Sequence, residues 1–358
     1  MTETARIVAL VGASVLDHPY IELSHAALER RGVSIEVRTQ LPGRLGRSIP
    51  PEVDAVHLHW PELMGYRSER PVIGAAATHL LGLRALDELG ALRRSRTRFV
   101  WTAHDLLPHE LEYQRLERAI YRSAARADGV LAHSRFAAGR LSEFEPRVGR
   151  IAIASHGNFI GHYPADGRGR DQIRAELGIP PDSYVYLMFG NIRPYKQTAA
   201  AVRAFTSTTD PLARLLVAGK AADEDATRDV RQAAAGDERV QLRLGYVADD
   251  RVSTYHAAAD AVILNHREVF SSGSLLLALS QGRPVVAPAG GSTPEIVQAP
   301  ALVGFEPGGL ADALEEVRRG DQDERRAAAL VAAERCNWDD MADELISLYL
   351  GEPTEPSR

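Results

Sequence analysis

Arg193 and Lys196 flank Pro194 in "FGNIRPYKQT" (Phe189–Thr198), where the apolar run "YVYLMF" gives way to the helical spacing of "KQTAAAVRAF". Gly190 lets the backbone turn sharply after the strand. Two cations at a spacing stiffened by proline then stand beside a helix start, whose free N–H groups already favour an anion. A diphosphate is the natural occupant.

Three further stretches carry chemistry at strand ends. In "REVFSSGSLLLALSQGRPVVAP" (Arg267–Pro288) Glu268 is an acceptor suited to a ribose diol. Ser271 or Ser272 caps the apolar helix after it, and the N–H groups at Gly273 and Ser274 suit phosphate. In "WTAHDLLPHE" (Trp101–Glu110) a His104–Asp105 pair ends one strand, with Glu110 five residues on, so a positioned proton acceptor is expected there. In "GASVLDHPY" (Gly12–Tyr20) Asp17 and His18 come after the first strand. That loop lacks the G-x-G-x-x-G fingerprint, which argues against a nicotinamide cofactor. His57 and His59 in "HLHWPE" alternate on one strand face, a spacing that could suit a metal, but two histidines without a third ligand are weak evidence for one. "DED" (Asp223–Asp225) reads as helix-start acids complementing the dipole.

The elements that must hold these residues repeat as strand, loop, helix. "RIVALVG", "VSIEVRT", "AVHLHW", "RFVWTAH", "GVLAHS" and "RIAIASHG" form one series. After the glycine-rich "GHYPADGRGRD" (Gly161–Asp171) come "YVYLMFG", "ARLLVAG", "VQLRLGYV", "DAVILNH", "PVVAPAG" and "ALVGF". Helical stretches between them imply α/β units with parallel sheets. We therefore expect two doubly wound, Rossmann-like domains, 1–160 and 161–336, facing a central cleft at their strand ends. The amphipathic tail 337–350, with Trp338, Met341, Leu345 and Leu348 apolar, is expected to pack back on the first domain.

Bulk composition sets the limits. The 358 residues suffice for two domains. No apolar run reaches the ~18 residues of a membrane span, and the N-terminus reads as a strand rather than a secretory signal. The single cysteine, Cys336, excludes an internal disulfide. A cytoplasmic protein is expected. Residues 1–160 hold 21 Lys and Arg against 18 Asp and Glu, and the rest 21 against 30, so nucleic acid is not the expected partner. The basic run "RRSRTR" (Arg93–Arg98) suits a helix end and also weak contact with anionic headgroups at an inner membrane face.

Taken together, "FGNIRPYKQ", "HGNF" with "HYP" after it, "SSGSLLLALSQGRPVVAP" and a Trp-led C-terminal helix resemble bacterial glycosyltransferases of the GT-B fold. The chain is similar to the GT4-like enzymes and the mannosyltransferases of exopolysaccharide assembly, from Ile7 to about Tyr349. "DHPYIELSHAAL", "HLHWPE" and "TAHDLLPHE" resemble the first domain of the latter group. The resemblance implies a nucleotide-sugar donor, GDP-mannose before a UDP-sugar, on the second domain, and a saccharide or glycolipid acceptor on the first. Arg193 and Lys196 would then contact the donor diphosphate, Glu268 the ribose and the "SSGS" helix start a phosphate. Asp105 or His104 would stand at the reacting centre, with Asp17 and Glu110 as further bases and His18, His59 and His156 on the acceptor side. No metal or other cofactor is implied. The chain departs from the GT4 pattern where a second glutamate is usual: "SLLLALS" (Ser274–Ser280) holds no acid. A nucleotide-sugar epimerase of the same plan and a non-catalytic partner that kept the fold are the alternative readings.

Overall fold

The structure, a computed structural model, describes residues 4–39, 49–63, 75–108, 114–266 and 269–352. The chain divides into two compact units, one of Met1–Gly157 with Asn337–Arg358 and the other of Asn158–Cys336.

In the first unit β1 (Ala5–Leu10), β2 (Val33–Arg38), β3 (Ala55–Leu58), β4 (Arg98–Ala103), β5 (Gly129–Ala132) and β6 (Arg150–Ile153) form one sheet in the order β2-β1-β3-β4-β5-β6. Every pairing is parallel. The inner strands β3 and β5 are buried along their whole length, which is why they read as unbroken apolar runs rather than alternating ones. The strand order reverses between β1 and β3. The carboxyl ends of these two strands are therefore where a doubly wound sheet receives a ligand.

The helix Trp338–Leu350 belongs to this unit. The Asn337 side chain caps it by accepting from the Asp340 N–H at 2.7 Å, and Gly351 closes it at φ +73°. Its buried face of Trp338, Met341, Ala342, Leu345, Leu348 and Tyr349 packs on the helix Pro19–Arg30 and on β1, β4, β5 and β6. The contact is close enough to dictate glycine: a Cβ on Gly157 would lie 2.1 Å from the Trp338 ring.

In the second unit β7 (Tyr184–Phe189), β8 (Ala213–Gly219), β9 (Val240–Leu244), β10 (Ala261–Ile263), β11 (Val285–Pro288) and β12 (Leu302–Phe305) are ordered β12-β11-β10-β7-β8-β9, again all parallel. Here the reversal falls between β7 and β10. Helix Thr198–Thr206 buries Ala201, Val202 and Phe205 in the core that holds Tyr186 and Met188 of β7. This helix starts later than its apolar spacing suggests. Pro194–Lys196 form a 3₁₀ turn, and Gln197 at φ 48°, ψ 38° breaks the path before Thr198.

Candidate active site

In the second unit the carboxyl ends of β7 and β10 enclose a small crevice, lined by Gly190, Asn191, Lys196 and Thr198 on one side and Leu264, Asn265 and His266 on the other. Gly190 sits at φ +98°, and the Lys196 Nζ lies 3.4 Å from where a Cβ on Gly190 would be. The ammonium thus folds back over the strand end. Burial, then the charge of Arg193, pushes the Lys196 pKa down to about 8. An ammonium whose charge is disfavoured by desolvation and by a nearby cation is stabilised when an anion binds beside it. Arg193 itself lines the adjoining groove with Gln197, Arg203 and Asp223 rather than the crevice.

Helix Gly273–Ser280 begins just beyond β10. Of the two expected caps, Ser272 takes the role: its Oγ accepts from the Leu275 N–H at 3.1 Å. The N–H groups of Gly273 and Ser274 belong to the first turn, where a helix leaves donors for a ligand or water. Asp223 likewise caps its helix, accepting from the Ala226 N–H at 2.7 Å, with Glu224 and Asp225 in the first turn. Glu268 and Glu110 lie outside the described residues.

In the first unit the carboxyl edge of the sheet carries a cluster of rings. Tyr20, at the start of helix Pro19–Arg30, stands edge-on to His59, Trp60, His104, His133, His156 and Trp338, with centroids 4.6–6.4 Å away. Trp60 stacks on His104 at 4.2 Å and 14°. His59 Nδ1 and His104 Nε2 share a hydrogen bond of 3.2 Å. His57 and His59 do share a face, with rings 4.2 Å apart. His57 is bound through Nε2 to the Thr102 hydroxyl and through Nδ1 to Tyr349, each at 2.8 Å. Burial is the leading cause that lowers the imidazole pKa values: His57 and His156 to about 3, His133 to about 4, and His59 and His104 well below the ordinary value. These rings are neutral near pH 7. Among the described residues no three His, Cys, Asp or Glu side chains are placed to hold a metal ion.

Asp105 comes directly after His104 at the end of β4. Desolvation, and then the charge of Glu62, hold its carboxyl well above the usual carboxylate range. Glu62 accepts a short hydrogen bond from the Tyr121 hydroxyl. A shielded carboxyl of raised pKa beside a second carboxylate holds a proton more readily than an ordinary carboxylate.

The predicted residues therefore separate into groups. His104, Asp105, His59 and His156 gather at the first unit's carboxyl edge. His59, His104 and His156 are only 1%, 7% and 6% exposed, so all three rings are buried at this edge. His18 caps helix Pro19–Arg30, its Nδ1 accepting from the Tyr20 N–H at 3.2 Å, and faces Trp60. Asp17 is exposed in the preceding turn. Gly190, Lys196 and the Ser272–Ser274 helix start gather at the carboxyl ends of the second sheet. Trp60 and Glu62 were not singled out in the sequence, although both lie in "HLHWPE", and Asn265 had no motif to mark it.

Each sheet and its reversal point have the fold of the GT-B glycosyltransferases. The crystal structure of Anabaena HepE in complex with UDP and glucose superposes with a TM-score of 0.69, at 20% identity over 96% of this chain and 99% of that one. Residues 169–334, which lie in the second unit, match the model of the Glycosyl transferases group 1 family. The GDP-mannose:glycolipid 4-beta-D-mannosyltransferase of Xanthomonas campestris pv. campestris is 30% identical over 236 residues, covering 66% of this chain and 61% of the relative. The D-inositol 3-phosphate glycosyltransferase of Corynebacterium glutamicum is 28% identical over 224 residues, covering 58% and 53%. The chain thus spans between half and two thirds of the length of these relatives. Among the described residues no helix is long and apolar enough to cross a membrane.

Proposed function

We propose that the protein is a glycosyltransferase that moves a hexose from a nucleoside diphosphate sugar to a hydroxyl of a glycolipid or saccharide. The second unit holds the donor and the first the acceptor. The observation that carries this reading is the Lys196 ammonium folded over Gly190 at the β7/β10 reversal, where a cation and a capped helix start supply what a diphosphate needs. GDP-mannose is the preferred donor and a glycolipid the preferred acceptor, supported by the name of the Xanthomonas relative. Arg193 assists from the adjoining groove. Asp105, its proton affinity raised, serves as the base that accepts the acceptor hydroxyl proton, with His104 beside it. The basic run Arg93–Arg98 fits an acceptor presented at an anionic surface.

The test is a turnover screen of GDP-mannose and several UDP-sugars with lipid-linked saccharide acceptors, following both nucleoside diphosphate release and the glycosylated product. Acceptor-dependent release with GDP-mannose is the expected result. Conversion of the donor without an acceptor would favour the epimerase, and inertness toward every donor would favour the non-catalytic partner.

A further inference from the structure

We propose that Asn265 is a positioning residue for Lys196, holding the turn Pro194–Gln197 in the shape that lays the ammonium over Gly190; this rests on the reading of Lys196 as the donor-diphosphate cation.

Gln197 is the one non-glycine residue with positive φ among the described residues. Its φ of 48° and ψ of 38° place it in the left-handed region, which an L residue without a short polar side chain seldom occupies. Such a conformation persists where its surroundings over-determine it, and it tends to mark a functional segment. The surroundings here are specific. The Asn265 Nδ2 donates to the Gln197 carbonyl at 3.2 Å, and the Ala201 N–H donates to that same oxygen at 3.1 Å. Both lone pairs of the carbonyl are thereby used, one by the helix after it and one by the loop after β10. On the other side of the turn the Tyr195 ring meets His266 edge-on at 5.6 Å. The consecutive residues Asn265 and His266 thus grip the residues on either side of Lys196.

Inside the turn, Lys196 N–H donates to Arg193 O at 3.0 Å and Gln197 N–H to Pro194 O at 3.1 Å. Proline fixes the entry and the left-handed residue fixes the exit, and in the turn so held the Lys196 ammonium lies over Gly190. A right-handed Gln197 would instead continue the helical path back from Thr198 and carry the lysine away from Gly190. Asn265 also lines the crevice. A direct contact between Asn265 and the ligand is therefore the rival explanation, and the test must separate the two.

The separating variant is Gln197→Gly, because glycine adopts the left-handed conformation without a partner. Calorimetric titration with inorganic pyrophosphate, GDP and guanosine compares the wild type, Lys196→Ala, Asn265→Ala, Gln197→Gly and the Asn265→Ala/Gln197→Gly double variant. Loss of one hydrogen bond together with release of the turn is expected to weaken pyrophosphate binding ~10-fold in Asn265→Ala. The double variant should return to within ~3-fold of wild type, with guanosine binding unchanged throughout. The pH at which binding begins to fall should also move up in Asn265→Ala, as the lysine escapes into water, and return in the double variant. If Lys196→Ala loses affinity but Asn265→Ala does not, the positioning role is wrong while the donor site stands. Weakening in Asn265→Ala that glycine fails to restore means direct contact or loss of fold, which melting temperatures tell apart, and overturns the role as well. If Lys196→Ala binds pyrophosphate as wild type does, the donor-site reading falls and this proposal with it.

Discussion

The Tyr349 hydroxyl lies 2.8 Å from Nδ1 of His57, across 292 positions of sequence. Both side chains are about 1% exposed. The neutral imidazole uses its other nitrogen on Thr102 at 2.8 Å, so one buried chain of hydrogen bonds joins the last helix to β3 and β4. Arg98 Nε, donating to the Leu348 carbonyl at 2.9 Å, fastens the same helix to the start of β4. The C-terminal helix is thus a structural layer of the first unit.

Deleting residues 337–358 should therefore unfold the first unit rather than trim it. Burying even two of its large side chains contributes ~3–6 kcal/mol before entropy is subtracted, and six residues of this helix are buried. Tyr349→Phe is a milder probe that leaves His57 Nδ1 buried without its partner, at a cost of ~1–3 kcal/mol. Scanning calorimetry checks both. A deletion variant that melts like the full chain would show that the helix contributes nothing.

Acid should destabilise the first unit early. The folded imidazoles of His25, His57, His133 and His156 titrate at about 3–4, with burial the leading cause, whereas free histidine titrates at ~6.5. Between those values the unfolded chain binds more protons, so this stability is fully present above pH ~6.5 and is lost as pH falls toward 4. At pH ~4.5 two such groups alone amount to ~5 kcal/mol, a large part of a domain's total. Urea titrations at successive pH values check it. Stability that stays level from pH 7 to 5 would show that the rings are already hydrated or charged.

Much of this was legible locally. "YVYLMF" announced β7 because a strand buried on both faces has no reason to alternate. "DED" announced a helix start because Asp223 can cap only the residues on its C-terminal side. The ring cluster was not legible, because its members arrive from the ends of six separate segments. The hydrogen-bonded pair His59 and His104, for example, is 45 positions apart. Sequence spacing reports neighbours along one element, whereas the sheet order decides which strand ends converge. Gln197 was invisible for a different reason. Glutamine is ordinary at a helix start, and only the partner at Asn265 explains why it sits in a glycine-like conformation.

Asp105→Asn should lower turnover by ~10²–10⁴, the usual contribution of a general base, with GDP affinity nearly unchanged. Desolvation and Glu62 favour the protonated carboxyl, so the base form emerges only as pH rises. Wild-type turnover should accordingly climb as pH rises above the ordinary carboxylate range, and Glu62→Gln should shift that climb to lower pH. Turnover by Asp105→Asn within a few-fold of wild type would remove Asp105 from the mechanism.

The last prediction concerns Lys196. Its pKa of about 8 in the free protein, set by burial and then by Arg193, means that half of the molecules lack this charge at pH 8. A diphosphate that binds the ammonium form must raise that pKa. GDP affinity should then be level from about pH 6.5 to 8 and fall toward tenfold per pH unit above it; an ordinary exposed lysine would hold its charge to ~10.4. Guanosine should show no such fall. Lys196→Ala should weaken GDP binding by roughly 10- to 100-fold, since charge-assisted hydrogen bonds contribute ~1.5–3 kcal/mol. Lys196→Arg should abolish the alkaline fall, because guanidinium stays charged, yet bind less well, because a planar fork does not replace a compact ammonium. Calorimetry in buffers of differing ionisation enthalpy gives the check, since proton uptake should accompany GDP binding near pH 8. Binding without proton uptake, and level to pH 10, would mean that Lys196 does not meet the phosphates.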